Sequence, residues 1–314
     1  MKRSILRVIM IGLLLLASGY FLYHLWGNFH QLPNVVWNKA TVVALSLSVL
    51  GTWVTIALIA LIWVLLLRDQ NVQMPYLEAL QIIAVSQMGK YLPGNIGHFT
   101  GRVLLGKAAG VPAGKTIATM AIETFWTLAI SASFTLAALV FFVHDLHQGL
   151  VDNAHPVYMA ALSIALLLAP FVGIQVFNVM LPKLSRKLGR GALLVRPQLT
   201  TAVMVSLLMM LCFAILGSIL ELQAISLFGH GEGNWLQLTL LFTVAWTVGY
   251  MLPGAPGGLG VREAMMMQLL TPVIGIEVAL GVSLTMRATS MVGDASAFLL
   301  GMLFRPTQKK QPAI

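Results

Sequence analysis

Two stretches of this sequence place an arginine, a proline and several glycines among apolar residues. The first is GKYLPGNIGHFTGR at 89–102 and the second is GYMLPGAPGGLGVR at 249–262. Both fit G-x-x-L-P-G-x-x-G-x-x-x-x-R without a gap, with six identities in fourteen positions at an offset of 160 residues. Pro93 and Pro253 have no N–H to donate and end an incoming helix. Gly94, Gly97, Gly254, Gly257 and Gly258, with Asn95 beside them, allow a tight tip and close approach of backbone to a ligand. A half-helix restarting at such a tip points its free N–H groups and positive dipole end at it. Arg102 and Arg262 follow within about two turns. Guanidinium groups beside helix N-termini suit a phosphate, which they bind bidentately. The competing reading is tight helix packing with arginines that snorkel to an interface.

Four more charges lie in apolar surroundings. Glu123 is in the apolar run after the first motif and Arg287 in the run after the second. With Gly110 aligned to Gly275 they fall one position apart, so they are placed to pair across a pseudo-twofold axis. A structural pair and a substrate role remain equal readings. Asp294 lies seven residues beyond Arg287, on nearly the same helix face. Glu263 follows Arg262 directly and is placed to balance it or take a proton. These four are expected to gate the site or balance its charge. His98 is read as a hydrogen-bonded packing residue, and Glu221 as interfacial.

The elements that must position these groups are membrane spans. Apolar runs occur at about 5–26, 41–67, 113–143, 156–181, 199–228 and 276–304. Each can cross about 30 Å of hydrocarbon. The stretches 74–110 and 236–272 behave differently. Each divides into two halves of roughly 15 residues, about 22 Å of helix, and carries charges. Irregular backbone and charge at membrane depth survive only against protein or a wet cavity. We therefore expect an all-α integral membrane protein with six transmembrane helices and two re-entrant hairpins. The whole chain, 1–314, is one transmembrane domain. Repeat A covers about 74–143, its hairpin entering from the cytoplasm; repeat B covers about 236–304, its hairpin entering from outside. Such an inverted repeat with broken helices points to a substrate site near the bilayer midplane.

Charge supports this orientation. Lys2, Arg3 and Arg7 precede the first run, five Lys/Arg lie between Lys183 and Arg196, and Arg305, Lys309 and Lys310 follow the last. Loops 144–155 and 229–235 have none. With both termini cytoplasmic, every basic loop falls inside. The run 5–26 is too long for a signal-peptide core and is taken as a retained span.

Composition excludes a soluble domain: 58% of residues are hydrophobic and 9% charged, against about 45–50% and 25% in soluble proteins. The net charge of +9 fits the orientation rule and anionic headgroups better than nucleic acid. Cys212 stands alone in an apolar run, so no disulfide framework and no zinc spacing exist. The stretch 254–260 imitates a dinucleotide loop, but no strand precedes it. Gly293-Asp294 has no partner aspartate for an intramembrane protease. No catalytic set, metal site or cofactor site emerges.

The segments YLPGNIG at 91–97 with Arg102, and PGGLGVRE at 256–263, resemble the signatures of the transmembrane region of lysylphosphatidylglycerol synthases and its stand-alone, flippase-like relatives. The resemblance covers about residues 5–304. It implies handling of a lipid in the cytoplasmic (inner) membrane. In the bifunctional members a separate soluble domain makes the aminoacylated lipid; no such domain lies between Met1 and Ile314, so translocation without synthesis is expected. The expected partner is a phospholipid or a polyprenyl-phosphate lipid, held by Arg102 and Arg262, and a homo-oligomer is compatible with the sequence. The alternatives are an ion-coupled carrier of a soluble organic anion and a non-transporting partner of a lipid or glycan enzyme.

Overall fold

The computed structural model describes residues 35, 37–91, 97–139, 156–188, 191, 194–229, 234–252 and 256–303. All regular elements among them are helical. In chain order they are α1 (Lys39–Asp69), α2 (Tyr76–Gln87), a 3-10 turn (Met88–Tyr91), α3 (Gly97–Ala108), α4 (Ala113–Ala138), α5 (Pro156–Met180), α6 (Pro182–Leu188), α7 (Leu199–Phe228), α8 (Trp235–Met251), a second 3-10 turn (Pro256–Gly258), α9 (Val261–Ile274) and α10 (Ile276–Leu303). The run 5–26 and loop 144–155 lie outside the described residues.

Among the described residues, four helices are long and apolar enough to cross a membrane: α1, α4, the 160–180 part of α5, and α7. The chain is a multi-pass membrane protein. Helix α10 is as long as these but carries Glu277, Arg287 and Asp294. Helix ends are set by local chemistry. Asn38 accepts from the Thr41 N–H at 2.9 Å to start α1, and Asn234 accepts from the Gln237 N–H at 3.2 Å to start α8, each satisfying a free first-turn donor. Gly229 closes α7 in the left-handed conformation, which costs glycine little. Asp69, the last residue of α1, reaches across to accept from the Gln198 N–H at 2.8 Å and the Thr201 hydroxyl at 3.1 Å, tying α1 to the start of α7. The short basic helix α6 occupies a stretch that the sequence reading treats as loop.

The two broken segments fold back on themselves. Helix α2 packs against α3, and α8 against α9. At 12, 12, 17 and 14 residues they reach only about 18–26 Å. The first hairpin crosses itself at Gly89 and Gly97. A Cβ on Gly97 would sit 2.3 Å from the Gly89 carbonyl oxygen, and one on Gly89 would sit 2.4 Å from Gly97 carbonyl carbon. The second hairpin is tight at the matching place, Gly249 against Gly258 and the Arg262 Cβ. Backbone cannot yield as a flexible side chain can. Gly97→Ala should therefore lower stability by about 1–3 kcal/mol, the range for overpacking. Thermal unfolding in detergent reads this out, and an unchanged melting temperature would remove the crossing as a constraint.

The halves exchange matching contacts. Helix α2 of the first hairpin packs on α10, and α8 of the second packs on α4, while α3 and α9 pack on the helices that directly follow them. The two 3-10 turns touch each other. The core is apolar and falls into separate clusters, with Trp63, Trp126 and the group Phe242, Leu220 and Leu241 fully buried in three of them. The charges sit where these two 3-10 turns, the described part of each tip, meet.

Candidate functional site

Where the tips meet there is a cavity of about 260 Å3 lined by both hairpins and by α1, α4, α7, α8 and α10. Arg102 and Arg262 both line it, as do Gly257, Gly258, Glu123, Arg287 and Asp294. Thr52, Thr55 and Ser290 bring hydroxyl groups to the cavity, and Phe213, Trp246 and Tyr250 bring aromatic rings. Trp246 stacks on Tyr250 with ring centroids 4.8 Å apart, and Phe213 meets Trp246 edge-on at 5.2 Å. This makes one wall aromatic, with the Tyr250 hydroxyl beside Thr124.

Helix α3 presents Arg102 in its second turn. The guanidinium forms a two-pronged pair with Glu123 of α4, Nη1–Oε2 2.6 Å and Nη2–Oε1 3.2 Å, and lies over the Trp63 ring at 5.3 Å. Trp63 is itself held by Thr119. Helix α9 presents Arg262 in its first turn. Its Nη2 is 3.7 Å from Glu263 Oε1, and its Nε has no hydrogen-bond partner. Glu263 lies behind the cavity wall, 3% exposed. Its Oε2 accepts from the Gly260 N–H at 2.8 Å, so it uses one of the helix's free N-terminal donors, and its Oε1 is 3.2 Å from Arg287 Nε. Arg287 Nη1 donates to the Gly257 carbonyl at 3.0 Å and thereby holds the second tip, while Nη2 has no hydrogen-bond partner.

The first tip is held by the same helix. Asp294 of α10, 1% exposed, accepts from the Tyr91 hydroxyl at 2.6 Å and pairs with Lys90 Nζ at 2.7 Å. One turned face of α10 thus carries a cation for one tip and an anion for the other. Around the cavity, Lys90, Arg102, Arg262 and Arg287 stand against Glu123, Glu263 and Asp294, an excess of one cation. Buried N–H groups are nearly always satisfied. Among the described residues, unpartnered N–H groups of Arg262 and Arg287 gather at this cavity. An anion is the chemistry that such a wall accommodates. The carboxylates are each engaged with a cation, and no three metal-type ligands converge among the described residues.

The expected residues fall into three groups. Arg102, Arg262, Gly257, Gly258, Glu123, Arg287 and Asp294 converge on one cavity, with Glu263 directly behind it. Pro93, Gly94, Asn95, Pro253 and Gly254 lie outside the described residues. Gly97 is at the backbone crossing and does not line the cavity. The pairing differs from the one that the aligned positions suggested. Glu123 is bound to Arg102 and Arg287 to Glu263, so each half closes an ion pair between its hairpin and the helix that follows. The polarity is reversed: the hairpin supplies the cation in the first half and the anion in the second. Sequence reasoning missed Lys90 and Tyr91. Their signal was their place inside the first motif, directly before Leu-Pro-Gly.

Among known families, the one described as Lysylphosphatidylglycerol synthase TM region matches residues 6–294 of this chain. No curated protein matches it.

Proposed function

Because this chain belongs to the family of the lysylphosphatidylglycerol synthase transmembrane region, a membrane family related to lipid handling, we propose that it translocates a phosphate-bearing anionic lipid across the cytoplasmic membrane. The observation that carries this reading is the shared cavity, where Arg102 and Arg262 stand together and Arg262 has a buried N–H to spare. A central arginine is unfavourable by about 2.5–3.5 kcal/mol even on the lenient insertion scale. Two of them on one cavity with a cation excess point to an anionic headgroup, and phosphate matches the guanidinium fork. Arg102, neutralised by Glu123, shapes the wall, and Arg262 makes the contact. The protein acts without catalytic chemistry of its own.

The lipid would move as the two halves rock about the cavity. In support, the hairpin helices are too short to span, the tips meet, and each hairpin leans on the opposite half. These fit two re-entrant hairpins in an inverted repeat, repeat A at about 74–143 and repeat B at about 236–304. With the basic residues inside, both termini are cytoplasmic. Cysteines introduced near 112 should then be labelled only from the cytoplasm and near 273 only from outside. Labelling from the opposite side would overturn the re-entrant topology.

The function is tested in proteoliposomes. Arg262→Gln should slow flipping of fluorescent phosphatidylglycerol by about 10–100-fold, the loss of a charge-assisted hydrogen bond. Arg262→Lys should fall between, keeping the charge but not the fork. Wild-type rates for both variants, or equal flipping of a lipid without phosphate, would defeat the proposal.

A further inference from the structure

A second recess, of about 650 Å3, lies beside the polar cavity and is lined by α3, α4, α5 and Leu194. Its walls include Val103 and Leu104 of α3, Met120 and Ala121 of α4, and Ile174 and Phe177 of α5; the only hydroxyls on its lining are those of Thr100 and Thr124. A volume of this size is in the range that buries most of a bound ligand.

Two features join it to the charged cavity. Phe99 and Thr124 line both spaces. Neighbouring residues on each helix then divide between them: Arg102 lines the cavity and Val103 the groove, Glu123 lines the cavity and Phe125 the groove. An occupant that follows the walls must be charged at one end and hydrocarbon at the other. The groove's length selects the hydrocarbon. Along α4 it runs from Ile117 to Leu128, about 16 Å of helix, and half of a 30 Å hydrocarbon core is about 15 Å. That is the reach of one acyl chain in one leaflet; a long polyprenyl chain would run far beyond it.

We propose that this groove holds an acyl chain of a phospholipid whose phosphate sits in the polar cavity. The proposal rests on the lipid-phosphate reading of that cavity.

Phosphatidylglycerol carrying a diazirine in one acyl chain tests this on the full chain in phosphatidylcholine nanodiscs. Adducts should map to 99–104, 117–128 and 173–177, and excess unlabelled phosphatidylglycerol should remove them. Ala121→Phe fills the groove without touching the cavity lining and should reduce labelling at least about tenfold; Ala121→Leu, a milder filling, should reduce it less. Glycerol phosphate, which has no tail, should still raise the melting temperature of the Ala121 variants but not of Arg262→Gln. Adducts spread evenly over the lipid-facing helices would overturn the groove proposal, as would undiminished labelling of Ala121→Phe. So would a quantitative disulfide between Leu104→Cys and a cysteine placed in the run 5–26, because the chain's own apolar run would then fill the recess. Groove-specific adducts without any glycerol phosphate effect would leave the tail site standing and defeat the phosphate reading instead.

Discussion

Glu263→Gln is expected to destabilise the protein by about 3–5 kcal/mol, the cost of breaking a buried ion pair from one side. The carboxylate is 3% exposed and stands 3.2 Å from Arg287 and 3.7 Å from Arg262. Glutamine keeps the shape and the bond from the Gly260 N–H. It removes the charge that lets two guanidinium groups share one buried neighbourhood. Chemical unfolding in detergent, followed by circular dichroism, measures the loss. Removing one of the stranded cations as well, in Glu263→Gln/Arg287→Met, should recover a large part of it. A single variant as stable as the wild type would mean that the pair contributes nothing net, and a double variant less stable than either single would place the role of Arg287 in its bond to Gly257 alone.

The second large effect is expected at the first tip. Asp294→Asn keeps an acceptor for the Tyr91 hydroxyl but cannot neutralise Lys90. Each hydrogen bond to a charged group contributes about 1.5–3 kcal/mol, and Asp294 makes two contacts to adjacent residues of one turn. Hydrogen exchange at Met88–Tyr91 should quicken by about 10–100-fold, and lipid flipping should fall with it. Exchange at Pro256–Gly258, held by Arg287, should stay as it was. Equal exchange at both tips would show that α10 does not hold them separately.

Much of this architecture was legible because the membrane imposes long, unbroken apolar runs. Expected runs such as 199–228 and 276–304 agree with α7 and α10 almost to the residue. The division of 74–110 and 236–272 into short paired helices was legible from Pro and Gly at matching positions. Pairing was not. The aligned positions put Glu123 opposite Arg287, but partners are decided by how each helix is rotated against its neighbour. A linear alignment holds no information on that rotation, and Arg102 lies closer. The glycines divided in a similar way. Close approach to a ligand and close approach to backbone require the same residue, and only the 2.3 Å that a Cβ on Gly97 would leave to the Gly89 carbonyl oxygen assigns it to the second. Helix α6 escaped because seven residues rich in Lys and Arg carry too little periodicity to stand out from a basic loop.

The exchanged hairpins also bear on how the molecule is made. Helix α2 rests on α10, yet Gln87 leaves the ribosome long before Ile276 does. For most of synthesis the first hairpin, with its lysine and arginine, has its own half for shelter but lacks the surface on which its tip is anchored. Asp294 and Arg287 arrive together on α10, which reaches both 3-10 turns. Assembly is thus held open until α10 inserts, and a ribosome stalled before it would leave behind an intermediate with exposed charge among apolar helices, a mark by which quality-control proteases could recognise it.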